Sequence, residues 1–335
     1  LPPLRLGSRD FAFGSRTYLM GVLNVTPDSF SDGGLFFDPG EAVDQALRMI
    51  AEGADIIDVG GESARPGSVE IGEEEELRRI RPVLERLLRE CGAPVSVDTY
   101  KASVARAALE MGAHMINDIG GLRADPAMPG VLASYGAPAV IMHNKREAIY
   151  RDVMGEVISF LRKGIDLAVE AGLPRERIVV DPGFGFGKTP AHNLTVLRRL
   201  REIRSLGVPV MIGTSRKSTI GKVLGLPVEE RLEGTAATVA LAVAAGADFI
   251  RVHDVREMAR VARMADAVVR DADRAAGPGG ITGRAPGALG HPEPGAEPGV
   301  EPGADGGRRL DGNRLDGGWV EDRVNGRLDG REGGS

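Results

Sequence analysis

The chain has 335 residues, a formal net charge of −6 and 42% hydrophobic residues, enough for one large α/β domain or two smaller ones. No window holds the eighteen or so apolar residues of a membrane span, and mild acidity without a basic, aromatic-interleaved stripe excludes a nucleic-acid binder. Cys91 is the only cysteine, which excludes an internal disulfide and a cysteine metal cage; together with the lack of a charged-then-apolar leader, this gives the expectation of a cytoplasmic protein.

Residues 1–17 read as an N-terminal extension. From Tyr18 onward, short apolar runs alternate with helical patterns. The runs are residues 18–23, 56–59, 95–97, 115–116, 139–142, 178–180, 210–212 and 249–252. After the first run, Asp38-Pro39-Gly40-Glu41 reads as an N-cap with proline at the first helical position and an acid at the third. Val43, Ala46, Leu47 and Ile50 then share one helical face, and Gly53 suits the C-terminus. Residues 73–89 are helical in pattern, with Pro82 expected to bend or split them. Leu194, Leu197, Leu200 and Ile203 repeat the stripe. Asp254 and Glu257 box the start of a last helix whose inner face is Val255, Met258, Ala259, Ala262 and Val269.

Composition changes sharply near Ala272. "GPGGITGRAPGALG", "EPGAEPGVEPGA" and repeated "RLDG" units follow. Such a Gly/Pro-rich segment buries too little apolar area to offset its ordering entropy, so residues 272–335 read as a disordered tail, with Trp319 incidental to it.

Eight strands, each followed by helix, leave two architectures: a closed (β/α)8 barrel or a doubly wound open sheet. The GxGxxG fingerprint is absent after the first strand, and a segment of roughly 250 residues suits the barrel. The expected fold is therefore α/β, a (β/α)8 TIM barrel over residues 18–271.

Barrels gather their chemistry at the C-terminal ends of the strands. The residues following the runs are Asn24, Gly60-Gly61-Glu62, Asp98, Asn117, His143, Asp181, Lys217, and Arg251 with His253. Singly, each has a plain reading as a turn or helix cap; a polar group at nearly every strand end of one rim does not. Asp98, Asn117 and Asp181 are acceptors that suit a flat heterocycle with several N–H groups, because a carboxylate takes two parallel N–H bonds from a guanidine-like edge. Arg65, Lys217, Arg251 and His253 form a second set. Three are cationic and the histidine's state is open. Cations after strands seven and eight are where barrels hold phosphate, and "GTSRKS" adds backbone N–H groups and hydroxyls near a helix start.

Two motifs fail. "DPGFGFGKT" lacks the P-loop's first glycine, since that position is Pro182, and its glycines are spaced 183, 185, 187 rather than as GxGxxG. They instead allow a loop to pass close to a ligand that Phe184 or Phe186 covers. The five histidines are scattered without an HExxH pair, so no zinc site is expected.

"LNVTPDSFSDGG", "DVGGESARPG", "SVDT", "INDIGG", "DPGFGFGK", "GTSRKS" and "RVHD" resemble, in order, the signature blocks of the dihydropteroate synthase family. The resemblance covers about residues 18–269. It implies a transferase of folate biosynthesis, a homodimer and a sulfonamide target; no second catalytic domain is visible in the sequence, so a monofunctional enzyme is expected. Such an enzyme joins p-aminobenzoate to 6-hydroxymethyl-7,8-dihydropterin diphosphate with Mg2+ assistance, along an SN1-like path that releases pyrophosphate. Matched motif by motif, it places the pterin on Asp98, Asn117, Met142, Asp181, Gly213, Lys217 and Arg251. The diphosphate falls to Asn24, Arg65, Arg251 and His253, with Asn24 also touching the metal. Phe30, Pro66, Phe186 and Ser218 would surround p-aminobenzoate. Lys217, Asp98, Asp181 and Asp32 would assist the chemistry, and the loop bearing Phe30 would act as a lid.

One position departs from the family. Ala64 stands where Thr or Ser usually precedes the arginine, which bears on phosphate affinity and sulfonamide response. Two rival readings share parts of the pattern. Methyltetrahydrofolate-binding corrinoid methyltransferase barrels use the same ring acceptors but bind no diphosphate; a non-catalytic pterin-binding protein would release none.

Overall fold

The computed structural model describes residues 1–26, 38–63 and 69–270. Phe30, Asp32, Ala64, Arg65, Pro66 and the Gly/Pro-rich tail lie outside the described residues, and with them the lid and the disorder expected there.

The chain opens with a hairpin of β1 (Leu4–Leu6) and β2 (Arg9–Phe11). The first half of the barrel follows: β3 (Tyr18–Asn24), α1 (Pro39–Glu52), β4 (Ile56–Gly60), α2 (Glu73–Glu90), β5 (Val95–Asp98), α3 (Ala102–Met111), β6 (Met115–Asp118) and α4 (Met128–Tyr135). The second half is β7 (Ala139–Met142), α5 (Val153–Glu170), β8 (Ile178–Asp181), α6 (Pro190–Arg198), β9 (Met211–Ile212), α7 (Ser218–Leu224), α8 (Leu232–Ala244), β10 (Phe249–Val252) and α9 (Val255–Val269). β3 to β10 form one parallel sheet in the order β8-β7-β6-β5-β4-β3-β10-β9. A parallel bridge from Val180 to Val210 joins its two ends, with Val180 N–H donating to Pro209 O at 2.9 Å. The expected (β/α)8 barrel is the fold observed.

Each strand is buried on both faces, and alternation sorts its side chains. In β4, Ile57 and Val59 pack outward among the helices, while Ile56 points inward. The inward residues Met20, Ile56, Met115, Val140, Val179, Met211 and Phe249 form an apolar floor. Two residues further along each strand, the same inward column carries Val22, Asp58, Asn117, Met142, Asp181, Gly213 and Arg251. The barrel is thus oily below and polar above because strand periodicity is two.

The hairpin supplies what the reading of residues 1–17 lacked. Leu4, Leu6 and Phe11 are buried against the apolar floor, and Phe11 meets Tyr18 edge to face at 4.9 Å between centroids. It plugs the end of the barrel opposite the polar rim.

Several local expectations need correction. The strands run past their apolar runs. The register pairs Asn24 with Gly60, Gly60 with Asp98, and Asp98 with Asn117. Asn24 and Asp98 are the last residues of their strands and Asn117 is the penultimate residue of β6, so these polar groups belong to the strands rather than follow them. α1 begins as expected, with Asp38 accepting from Gly40 N at 2.7 Å and Gly53 left-handed at φ 116°, but Leu47 is exposed and Met49 takes its buried place. Pro82 lies within an unbroken α2, whose Ile80, Val83, Leu84 and Leu87 all bury on one face. The Leu194–Ile203 stripe is split: α6 ends at Arg198, a 3-10 segment follows over Leu200–Leu206, and Leu194 is exposed. Asp254 does not bond the α9 N-terminus, because its carboxylate takes Arg216 Nε at 2.9 Å. Val269 is exposed, and Asp266 is buried in α9 because it accepts from Thr17 N and Oγ1 at 2.7 and 2.8 Å.

Candidate functional site

A cleft at the C-terminal rim is lined by Val22, Asp98, Asn117, Ile119, Met142, Asp181, Phe184, Phe186, Met211, Gly213, Ser215, Lys217, Arg251 and His253. All seven residues assigned to the ring converge here, from β5, β6, β7, β8, β10 and the loop after β9. Phe186 and His253 join them. Asn24 sits at the edge. Gly60 leaves the space between it and Asp98 open: a Cβ there would lie 3.9 Å from Asn24 Oδ1 and 3.8 Å from Asp98 Oδ2. Ser218 is exposed at the first position of α7 and is not part of the wall. Two other strand-end residues serve elsewhere. Glu62 binds Lys101 and the Tyr100 hydroxyl, and His143 faces Lys188 and Phe160.

Arg251 organises the floor of the cleft. Its Nε donates to Asp58 Oδ2 at 2.7 Å and its Nη2 to Asp98 Oδ2 at 2.7 Å. Asn117 Nδ2 donates to the same Asp58 oxygen at 2.9 Å. Burial would drain the guanidinium's charge, but Asp58 and Asp98 outweigh it and hold Arg251 above its ordinary range. Burial pushes Asp98 up to about 7, against the pull of Arg251 and Lys217. Asp181 is raised for the same reason, opposed by the Gly183 N–H that donates to it at 2.7 Å. Lys217 lies with Nζ 3.9 Å from the Phe186 ring centroid, and desolvation brings it down to about 8. Burial, reinforced by Arg251 and Arg216, lowers His253 to about 4. His253 is therefore neutral at pH 7, its Nδ1 3.0 Å from Ser215 Oγ, so it offers a hydrogen bond and not a charge.

The glycine-rich loop after β8 has a physical reason at two positions. Gly183 (φ +67°) lies so close to β7's exit that a Cβ would meet His143 O at 1.9 Å; at Gly185 (φ +87°) a Cβ would meet Lys217 Cδ at 2.8 Å. Lys188 fastens the loop by donating to Gly183 O at 2.9 Å and Phe186 O at 3.0 Å. Of the two phenylalanines, Phe184 is buried at 1% exposure, and Phe186 is the half-buried one beside Lys217.

Asp58, Ser215, Val22, Ile119 and Met211 were missed as site residues. Asp58 had a signal: it is a carboxylate inside the apolar run "IIDVG", at an inward position of β4. Among the described residues, no group of three from His, Cys, Asp and Glu is arranged to hold a metal ion. The cleft can grip a flat, nitrogen-rich ring from its edges and present cations above it.

Comparison with known proteins agrees with this geometry. The model of the family "Pterin binding enzyme" matches residues 20–253. A dihydropteroate synthase of Clostridium beijerinckii is 50% identical over 268 residues, 80% of this chain and 100% of that protein. A structure of Xanthomonas albilineans dihydropteroate synthase with 4-aminobenzoic acid superposes with a TM-score of 0.76 at 45% identity, covering 80% of this chain and 98% of that one. Another, in complex with 7,8-dihydropteroate, has a TM-score of 0.74 at 43% identity over the same shares. A barrel with this ring-gripping rim, half-identical over a relative's full length, belongs to the pterin-binding enzymes and within them to the dihydropteroate synthase family.

Proposed function

We propose that the protein condenses 6-hydroxymethyl-7,8-dihydropterin diphosphate with p-aminobenzoate, giving 7,8-dihydropteroate and pyrophosphate. The observation that carries this reading is the convergence of Asp98, Asn117, Asp181, Lys217 and Arg251 on one cleft. The 4-aminobenzoic acid and 7,8-dihydropteroate of the Xanthomonas albilineans structures support the two substrate classes.

In this reading Asp181 and Asn117 hold the ring's N–H edge, Lys217 donates to its carbonyl or N5, and Arg251 covers one face. Arg251 and His253 bind the diphosphate with Asn24 and Arg65, the latter outside the described residues. Ring-edge contacts fix the exocyclic carbon, while the cations and the neutral His253 stabilise the departing oxygens. An aniline nitrogen is a weak nucleophile, so leaving-group departure carries the barrier. Positive charge then develops at the exocyclic carbon and spreads into the ring, where Asp98 and Asp181 stabilise it. This is an SN1-like path. Phe186, with Phe30 and Pro66 on the undescribed loops and Ser218 at the α7 start, would enclose p-aminobenzoate, and Asp32 would assist from the first loop.

The donor set fits Mg2+ carried by substrate. Asn24 offers one amide oxygen at the rim, and Mg2+ is commonly held by few protein ligands plus phosphate oxygens and water. Bound there, the ion would neutralise diphosphate charge.

We also read the enzyme as a cytoplasmic homodimer. Val223 and Leu224 on α7 and Leu241 on α8 are exposed apolar side chains that support self-association, and no described helix is long and apolar enough to cross a membrane.

Pyrophosphate release tests the activity. It is expected only with both substrates present, in step with dihydropteroate. Methyl transfer from a methylated folate, or ring binding without pyrophosphate release, would replace this reading by one of its rivals.

A further inference from the structure

We propose that Asp58 is a positioning residue for ring recognition: its buried carboxylate sets which end of the Asn117 amide faces the ligand and fixes the plane of the Arg251 guanidinium. The proposal rests on the reading of the cleft as a pterin site and adds to it a residue that the ligand does not touch.

Asp58 is 0% exposed and lies below the cleft, one inward step above Ile56. Its Oδ2 accepts from both Arg251 Nε at 2.7 Å and Asn117 Nδ2 at 2.9 Å. A carboxylate only accepts, so the amide must turn its NH2 end down toward Asp58. Asn117 Oδ1 is then left for the cleft, and it is buried without a protein partner. An acceptor held in that place selects a ring edge that donates N–H. The same carboxylate takes Arg251 by Nε while Asp98 takes Nη2, so the guanidinium is held at two points on different strands and its plane cannot turn.

Stability alone does not account for a carboxylate here. Asp58 Oδ1 has no partner, and Ser96 Oγ, on the register partner of Asp58, has none either. A buried ion pair is commonly no more stable than well-packed apolar residues in place of both partners, although removing Asp58 alone leaves Arg251 with one of its two carboxylates. What the carboxylate adds is orientation of two ring-binding groups.

The test compares wild type, Asp58→Leu and Asp58→Asn by calorimetric titration with 6-hydroxymethyl-7,8-dihydropterin diphosphate and, separately, with pyrophosphate. Asp58→Leu removes both acceptor contacts and should weaken the dihydropterin ligand by about tenfold or more. Asp58→Asn keeps one acceptor oxygen and should recover most of that loss. Pyrophosphate affinity should fall less than dihydropterin affinity, because Arg251 is the one diphosphate-binding group that Asp58 holds, and the KM for p-aminobenzoate should stay within about threefold of wild type in both variants. Unchanged dihydropterin affinity in Asp58→Leu, or a loss of pyrophosphate affinity as large as the loss of dihydropterin affinity, overturns the proposal. Wild type that binds no dihydropterin overturns the reading of the cleft and the proposal with it. Should Asp58→Leu not fold, 15N spectra of the wild type decide. The Arg251 Nε–H, assigned by its loss in Arg251→Lys, should be resolved and protected from exchange without ligand; rapid exchange overturns the proposal.

Discussion

Lys217 stands where two requirements conflict. Its ammonium is desolvated beside Phe186 and brought down to about 8, yet ring binding needs the charged form. Asp98 has the opposite problem, with burial pushing it up to about 7 while ring binding needs it ionised. kcat/KM should therefore follow a narrow bell, rising through about 7 as Asp98 loses its proton and falling above about 8 as Lys217 loses its own. A profile flat from pH 6 to 9 would contradict both assignments. The linkage signs agree. A raised carboxyl gives stability that is lost as pH rises through about 7, and a lowered lysine gives stability that is lost as pH falls through about 8. Both groups thus cost stability in the range where they work. Lys217→Met should keep or raise Tm, by about 2–4 °C per kcal/mol gained. In turnover, Lys217→Ala and Asp181→Ala each remove about 2.7–4 kcal/mol of transition-state stabilisation, a loss of roughly 100-fold or more. Steady-state pyrophosphate release measures it, and losses below about tenfold in both would count against the mechanism.

At the scale of elements, the hairpin and the glycine-rich loop separate stability from chemistry. Leu6 is fully buried in the barrel floor, at the end opposite the rim. Leu6→Ala should cost about 2–5 kcal/mol in urea denaturation while leaving kcat/KM of the folded fraction unchanged. Gly183→Ala should do the reverse of this in kind, because its Cβ cannot coexist with His143 O; the loop must move, taking Phe186 from Lys217. A raised KM for p-aminobenzoate would report it. The legibility of these elements followed the same physics. Apolar runs marked every barrel strand because both strand faces are buried, and polar strand ends marked the rim. Asp58 escaped because it sits within a run, where only period-two counting separates inward from outward positions. The hairpin escaped because strands of three residues carry too little pattern to stand out, although Leu4, Leu6 and Phe11 are deeply buried. Leu47 and Val269 were assigned to inner faces because a helical stripe fixes spacing but not its rotation against the barrel.

For the whole molecule, the barrel divides its labour by height. An apolar plug and floor hold the fold, and the polar layer above them carries both Asp58, which orients Asn117 and Arg251, and the groups that line the cleft. Closure through the Val180–Val210 bridge leaves β9 as a two-residue strand, so the loop bearing Lys217 starts close to the seam. If α7 and α8 form the proposed dimer surface, Leu241→Asp should shift sedimentation toward the monomer. The central claim is that this polar rim grips the dihydropterin diphosphate before the second substrate arrives. Titrating the wild-type protein with dihydropterin diphosphate, with and without Mg2+ and without p-aminobenzoate, tests it most directly. Saturable binding that tightens with Mg2+ and weakens about tenfold or more in Asp181→Ala is the predicted result. Binding that requires p-aminobenzoate first, or that is indifferent to Asp181, would contradict it.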